Sequence, residues 1–314
     1  MAPPGIEEVR HLQPRDAAGW SFLGLACGLT AAGAGLAFSG HVAAWLFGQL
    51  LLAFAFVQWF VLLHEAGHHT LFRTRWLNRA TGWIAGFFAL IPYPSWQRIH
   101  ARHHRWTGWQ DLDATTASLV PRVLAPWERH IVDFAWRAHV PLFSLIYRIS
   151  NYWQLPRMAA YLRTAELAPV RTGIVITLVA YALLAAAVGP LALFQAFALG
   201  RLLAFAIEDP LLLSQHTHIP QRLAGDAQVR PFSSFEQQAF TRSLRLPRRL
   251  SWLILHFDAH ELHHMYVRVP GYCLSRIGYR PDNEVDWWTW LKEAKKLPGS
   301  VFLFQNRTQT GFDL

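Results

Sequence analysis

Two shortages set the frame. Charged residues make up only 16% of the 314, against about 25% in ordinary soluble domains. Cysteine is nearly absent, with Cys27 in an apolar segment and Cys273 beside a histidine cluster. Two such cysteines make no disulfide framework, and no CxxC or iron–sulfur spacing exists. The opening residues mix acidic and basic side chains and form no apolar core with a cleavage site, so no cleaved signal peptide is read. The charge that is present is lopsided: 29 Lys and Arg against 20 Asp and Glu, net +9. No nucleic-acid motif accompanies it, and the basic residues are spread through the polar segments, so no nucleic-acid partner is expected. The excess fits a positive-inside bias and contact with anionic headgroups.

Hydrophobic residues reach 53%, with fifteen tryptophans, and tryptophan collects at membrane–water interfaces. The mean hydropathy of +0.16 keeps much of the chain outside lipid. Four stretches are long and apolar enough to span: about 20–38, 42–63, 174–188 and 191–213. The breaks at Ser39-Gly40-His41 and Gly189-Pro190 join them as two hairpins and carry no Lys or Arg. The arginine-rich 64–172 stretch and the 214–314 region therefore face the cytoplasm, with both termini. Within the first, 80–91 is too short to span and reads as re-entrant or interfacial, stopped by Pro92 and Pro94. His139 to Leu162, with Arg148, Arg157 and Arg163, reads as helices in the headgroup plane. Arg201, Glu208 and Asp209 stand out inside the fourth apolar stretch. Arg201 and Glu208, seven apart, share a helix face and read first as a structural ion pair or as snorkelling toward the cytoplasmic interface, with a polar group lining the tunnel or steering protons as the functional alternative.

Eleven of the sixteen histidines fall into four clusters: His64, His68 and His69; His100, His103 and His104; His216 and His218; His260, His263 and His264. Histidines three or four apart share a helix face and can offer two nitrogens to one point. Neighbours diverge by about a third of a turn, so a pair such as His103-His104 can serve two metals. One ion takes about four to six ligands; eleven histidines suit two. His11, His41, His130 and His139 read as ordinary residues, and His256, one turn before His260, is open to a supporting role. His64-Glu65-Ala66-Gly67-His68 also matches the H-E-x-x-H signature, which would make an intramembrane zinc protease with Glu65 as general base. A zinc hydrolase needs only about three protein ligands and leaves the other clusters unexplained. A metal-binding or transport protein without catalysis is the third alternative.

The order of the clusters resembles the membrane fatty acid desaturases. His64–His69, His100–His104 and His260–His264 are similar to that family's three histidine boxes, and Gln215-His216-Thr217-His218-Ile219-Pro220 to its segment between boxes two and three. Asp111 and Asp113 fit its polar run after the second box. The resemblance covers about residues 42–272. It implies a single all-α integral membrane domain over 1–314, four transmembrane helices with a cytoplasmic helical cap, and two irons held almost wholly by histidine. Those ligands would be His64, His68, His69, His100, His103, His104, His260, His263 and His264, with one more from His216 or His218. It implies O2 as co-substrate and a fatty acyl chain, free, carrier-bound or lipid-bound, as substrate. Electrons would come from a separate ferredoxin or cytochrome b5-type donor and its reductase. The reaction expected is desaturation, with hydroxylation or oxidative decarboxylation to a terminal alkene on the same scaffold as alternatives. An unactivated C–H bond is beyond acid–base side chains, so the cofactor carries the hard chemistry and the protein places one methylene. Phe60, Phe72, Trp96, Trp106, Trp252 and Phe257 are candidate tunnel lining, each also explicable as membrane packing.

Overall fold

The computed structural model describes residues 3–314. Its principal helices are α1 (Asp16–Ala37), α2 (Val42–His68), α3 (Arg75–Ala89), α4 (Tyr93–Trp106), α5 (Pro126–Arg137), α6 (Leu142–Arg148), α7 (Thr164–Val188), α8 (Pro190–His216), α9 (His260–Met265) and α10 (Trp287–Ala294). Among the described residues, α1, α2, α7 and α8 are long and apolar enough to cross a membrane. They outrun the purely apolar stretches, so that α2 ends in His68 and α8 in His216. The chain forms two compact units. One comprises residues 13–98 and 148–208; the other comprises 99–147, 209–314 and the N-terminal stretch to Leu12.

In the first unit, α1 lies against α2 where small residues allow close approach. A Cβ on Gly33 would sit 2.8 Å from Leu52 Cγ, and one on Gly48 2.8 Å from Gly33 O. Helix α8 is tied to α2 by Gln49, whose amide donates to Ala196 O at 2.8 Å and accepts from Gly200 N at 2.7 Å. A buried amide in an apolar bundle must use both ends.

Helix α3, the segment too short to span, stops at Leu90 in the left-handed region (φ 58°). The last carbonyls of a helix have no partner within it, and in an apolar setting each needs one. Four side chains supply them. Tyr181 Oη donates to Phe87 O (2.8 Å), Arg201 Nη2 to Phe88 O, Arg148 Nε to Ala89 O (2.9 Å) and Trp153 Nε1 to Leu90 O (2.9 Å). The two cations sit at the negative end of the helix dipole. The structure thus assigns Arg201 to a helix end, stacked 3.6 Å from the Phe56 ring centre. Glu208 pairs with Arg148 instead, at 2.5 Å. Arg148 is therefore turned inward and buried, not held at a headgroup. The helix carrying it runs on through a π-helical turn, Ile149–Trp153.

The second unit departs from an all-helical reading in one detail, a two-stranded parallel sheet of β1 (Ser243–Arg245) and β2 (Glu284–Asp286), with Leu244 opposite Val285. Its core packs Trp136, Leu213, Leu244, Trp290, Ala294 and Phe302. The Trp136 and Phe302 rings stack at 4.5 Å. The strands flank α9, and Glu261 joins them. Its Oε2 accepts from Ser243 N (3.1 Å) and its Oε1 from Asn283 N (2.9 Å), while Ser243 Oγ accepts from Glu261 N (3.0 Å). Burial pushes the Glu261 carboxyl up to about 7.

Candidate metal centre

Four imidazoles of the second unit converge: His103 from α4, His216 from the end of α8, and His260 and His264 one turn apart on α9. One ring nitrogen of each lies within 4.8 Å of the others. His260 Nε2 is 2.8 Å from His216 Nε2 and 3.0 Å from His264 Nε2. Nitrogens bound at about 2.0–2.1 Å to one ion stand about 3 Å apart when at right angles, so the spacing fits a shared cation.

The outward nitrogens are held by acceptors. His103 Nδ1 faces Asp113 Oδ2 at 2.7 Å, His264 Nδ1 faces Gln237 Oε1 at 2.8 Å, and His216 Nδ1 faces Phe240 O at 3.2 Å. An acceptor on Nδ1 puts the proton there and leaves the Nε2 lone pair for a metal. Asp113 is itself fixed by Thr115, whose N and Oγ1 both donate to Oδ1 at 2.9 Å. Burial works to raise the Asp113 carboxyl, yet His103 and Thr115 together hold it below the usual carboxylate range. Burial first, then the neighbouring imidazoles, drives the His264 pKa well below that of free histidine. That ring is a neutral donor at neutral pH. An all-imidazole set suits first-row transition metals, iron among them.

Adjacent histidines part company, as the helical turn requires. His104 belongs to a second string, with His104 Nε2 3.1 Å from His100 Nε2 and His263 Nε2 3.0 Å from His104 Nε2. In the other unit, His64 and His68 stand one turn apart at the end of α2, rings 4.8 Å apart. Trp96 packs edge-on against both, at 5.7 and 5.8 Å. Gly67 is required there, since a Cβ would lie 1.9 Å from Trp96 Cζ3. Glu65 accepts from Thr70 Oγ1 at 2.9 Å and meets His64 Nδ1 at 3.3 Å. It therefore braces a histidine, and nothing in this geometry favours the protease base.

Two histidines of the clusters lie elsewhere. His69 caps α2 in the left-handed region (φ 61°) and is exposed. His218, also left-handed (φ 57°), directs Nε2 to Thr310 Oγ1 at 2.9 Å. Of the pair His216 and His218, it is His216 that joins the four-imidazole group. His256 meets Ser251 Oγ at 2.7 Å, which donates to Asp258 Oδ1 at 2.7 Å. That trio braces the turn before α9. Sequence reasoning missed Gln237, the Phe240 carbonyl and Arg242. The buried Arg242 guanidinium donates to Ser214 O (2.9 Å) and Thr217 O (3.1 Å), capping the helix end that carries His216. Asp113 had a signal in its position after the second box; Gln237 had none.

The four imidazoles form a group that could hold a metal ion, in a helical chain with four helices long and apolar enough to cross a membrane. The fatty acid desaturase family model matches residues 40–285, and the chain belongs to that family. A probable fatty acid desaturase of Sorghum bicolor is 26% identical over 238 residues, 70% of this chain and 58% of the relative. A Delta(12) fatty acid desaturase of Mortierella isabellina is 44% identical over 48 residues, 15% of this chain and 12% of that protein. An sn-1 oleoyl-lipid 12-desaturase of Picosynechococcus is 34% identical over 64 residues, 20% and 18% of the two chains. The matches thus span between about an eighth and three fifths of these relatives' lengths. With its four apolar helices, the chain is an integral membrane protein.

Proposed function

We propose that the protein is an oxygen-dependent desaturase of fatty acyl chains that works with two irons. The observation that carries this reading is the four-imidazole centre of His103, His216, His260 and His264, with three outward nitrogens tethered, in a chain of the desaturase family. These residues would hold one iron. Box spacing supports the remaining box histidines, His64, His68, His69, His100, His104 and His263, as further candidate iron ligands. When bound, iron supplies reductive activation of O2 and hence C–H cleavage. The chain's own part is to aim the imidazole lone pairs inward through Asp113, Gln237 and Phe240 O, and to limit water by burial.

The substrate is an acyl chain, free, carrier-bound or in a lipid. Electrons come from a ferredoxin or cytochrome b5-type protein and its reductase. The distribution of Lys and Arg supports a centre on the cytoplasmic side.

The test is product analysis. Wild type and His103→Ala are produced in a heterologous membrane with a reductase system, and total lipids, hydroxy acids and volatile hydrocarbons are compared by mass spectrometry. An acyl chain with one added double bond, absent with the variant, supports the proposal. A hydroxylated chain or a terminal alkene would replace desaturation by the corresponding reaction on the same scaffold. Identical profiles under several acyl supplies and donors would overturn the acyl substrate.

A further inference from the structure

Gln237 lies between the second and third boxes, outside every histidine cluster, in a 3-10 helix over Glu236–Phe240. It is buried, and its amide is used at both ends. Nε2 donates to His104 O at 2.7 Å and reaches Phe232 O at 3.4 Å; Oε1 faces His264 Nδ1 at 2.8 Å. The orientation has one consistent solution. A carbonyl oxygen accepts only, so the NH2 end must point to His104 O. The oxygen therefore points to His264, and His264 Nδ1 must carry the proton. That leaves Nε2 as the lone pair, and Nε2 is the atom 3.0 Å from His260 Nε2 in the centre. The segment is itself anchored: Gln237 N donates to Ser233 O at 3.1 Å, and Thr241 Oγ1 to Gln237 O at 3.1 Å.

We infer that Gln237 is a positioning residue of the metal centre: it selects the His264 tautomer that binds metal and locks the second-box backbone at His104 to the third-box helix. The inference rests on reading these histidines as iron ligands. A neutral amide is the telling choice. Asp113 does the same for His103 with a carboxylate, which donates electron density through the ring. Gln237 orients His264 without adding charge, so the two ligands differ in basicity by design of the residues behind them.

The full chain in detergent, stripped of metal, is titrated with Co2+ as a probe and separately loaded with iron for a midpoint potential. Gln237→Leu keeps the volume and removes the acceptor; Gln237→Glu keeps an acceptor for Nδ1, adds charge and loses the donor to His104. Gln237→Leu should bind Co2+ about 10–100-fold more weakly, as for other residues that orient metal-bound histidine, with its far-UV circular dichroism unchanged. Gln237→Glu should keep most of the affinity and shift the iron potential downward. A role in packing alone predicts the two variants equally damaged, and that result overturns the inference. So does Gln237→Leu binding as wild type. Should Gln237→Leu fail to fold, an unchanged potential in Gln237→Glu overturns it instead. Wild-type protein that takes up neither cobalt nor iron would bring down the metal reading itself, an outcome distinct from wild type binding and Gln237→Leu matching it.

Discussion

Arg148 and Glu208, sixty residues apart in the chain, form an ion pair at 2.5 Å with both side chains closed to solvent. Removing one partner of a buried pair strands the other charge, at a cost of about 3–5 kcal/mol. Arg148→Met should therefore lower the thermal midpoint in detergent sharply, the more so because Ala89 O loses its donor. The double variant Arg148→Met with Glu208→Leu should recover part of that loss. A single variant with wild-type melting would show the pair to be dispensable.

His216 and His218 make a sharper contrast. His216→Ala should cut the bound iron measured by plasma spectrometry, whereas His218→Ala should leave iron near the wild-type value. Equal losses from both would contradict the separation of His216, 2.8 Å from His260, from His218, which is turned to Thr310.

Asp113→Asn retains an acceptor for His103 and removes the charge; Asp113→Ala removes both. Metal affinity should fall about 10–100-fold for the alanine variant and less for asparagine, read by competition with a chelator. The same order should appear in desaturase activity.

Gly67→Ala places a methyl against the Trp96 indole. Overpacking of this kind costs typically 1–3 kcal/mol, and Trp96 also holds the edges of His64 and His68. The variant should melt earlier and hold less metal. Adding Trp96→Phe should relieve part of both effects.

Lys295 sits with Nζ 3.6 Å from the Trp136 ring centre and donates to Trp136 O. Burial lowers its pKa from 10.5 to about 8, against the opposing pull of Asp209. Between about 8 and 10.5 the unfolded chain holds a proton that the folded chain lacks, so stability rises with pH across that window. Lys295→Met should flatten the rise in thermal midpoint measured from pH 7.5 to 10.5. The group is half buried, so the amplitude is modest.

Much of this architecture is legible in residue order. Runs such as Val42 to Leu63 contain no charge and no proline, so the helix follows from local preference and apolar length. The histidine spacing is equally local: a turn of α-helix puts His260 beside His264 and turns His103 away from His104. Sequence order also marked Glu208 as a buried charge in need of a partner, but named Arg201. The true partner comes from a helix sixty residues earlier, because Arg201 is consumed by the carbonyl end of α3.

What residue order alone determined, then, is which segments are helical and apolar and which histidines share a face, since both depend on periodicity within one helix. Tertiary structure decided that His216 and not His218 joins His103, His260 and His264, that Arg148 answers Glu208, and that Gln237 stands behind His264. Each of those depends on which carbonyl or carboxylate a folded neighbour leaves unsatisfied. A buried polar group takes the nearest partner in space, and distance along the chain does not reveal which one that is.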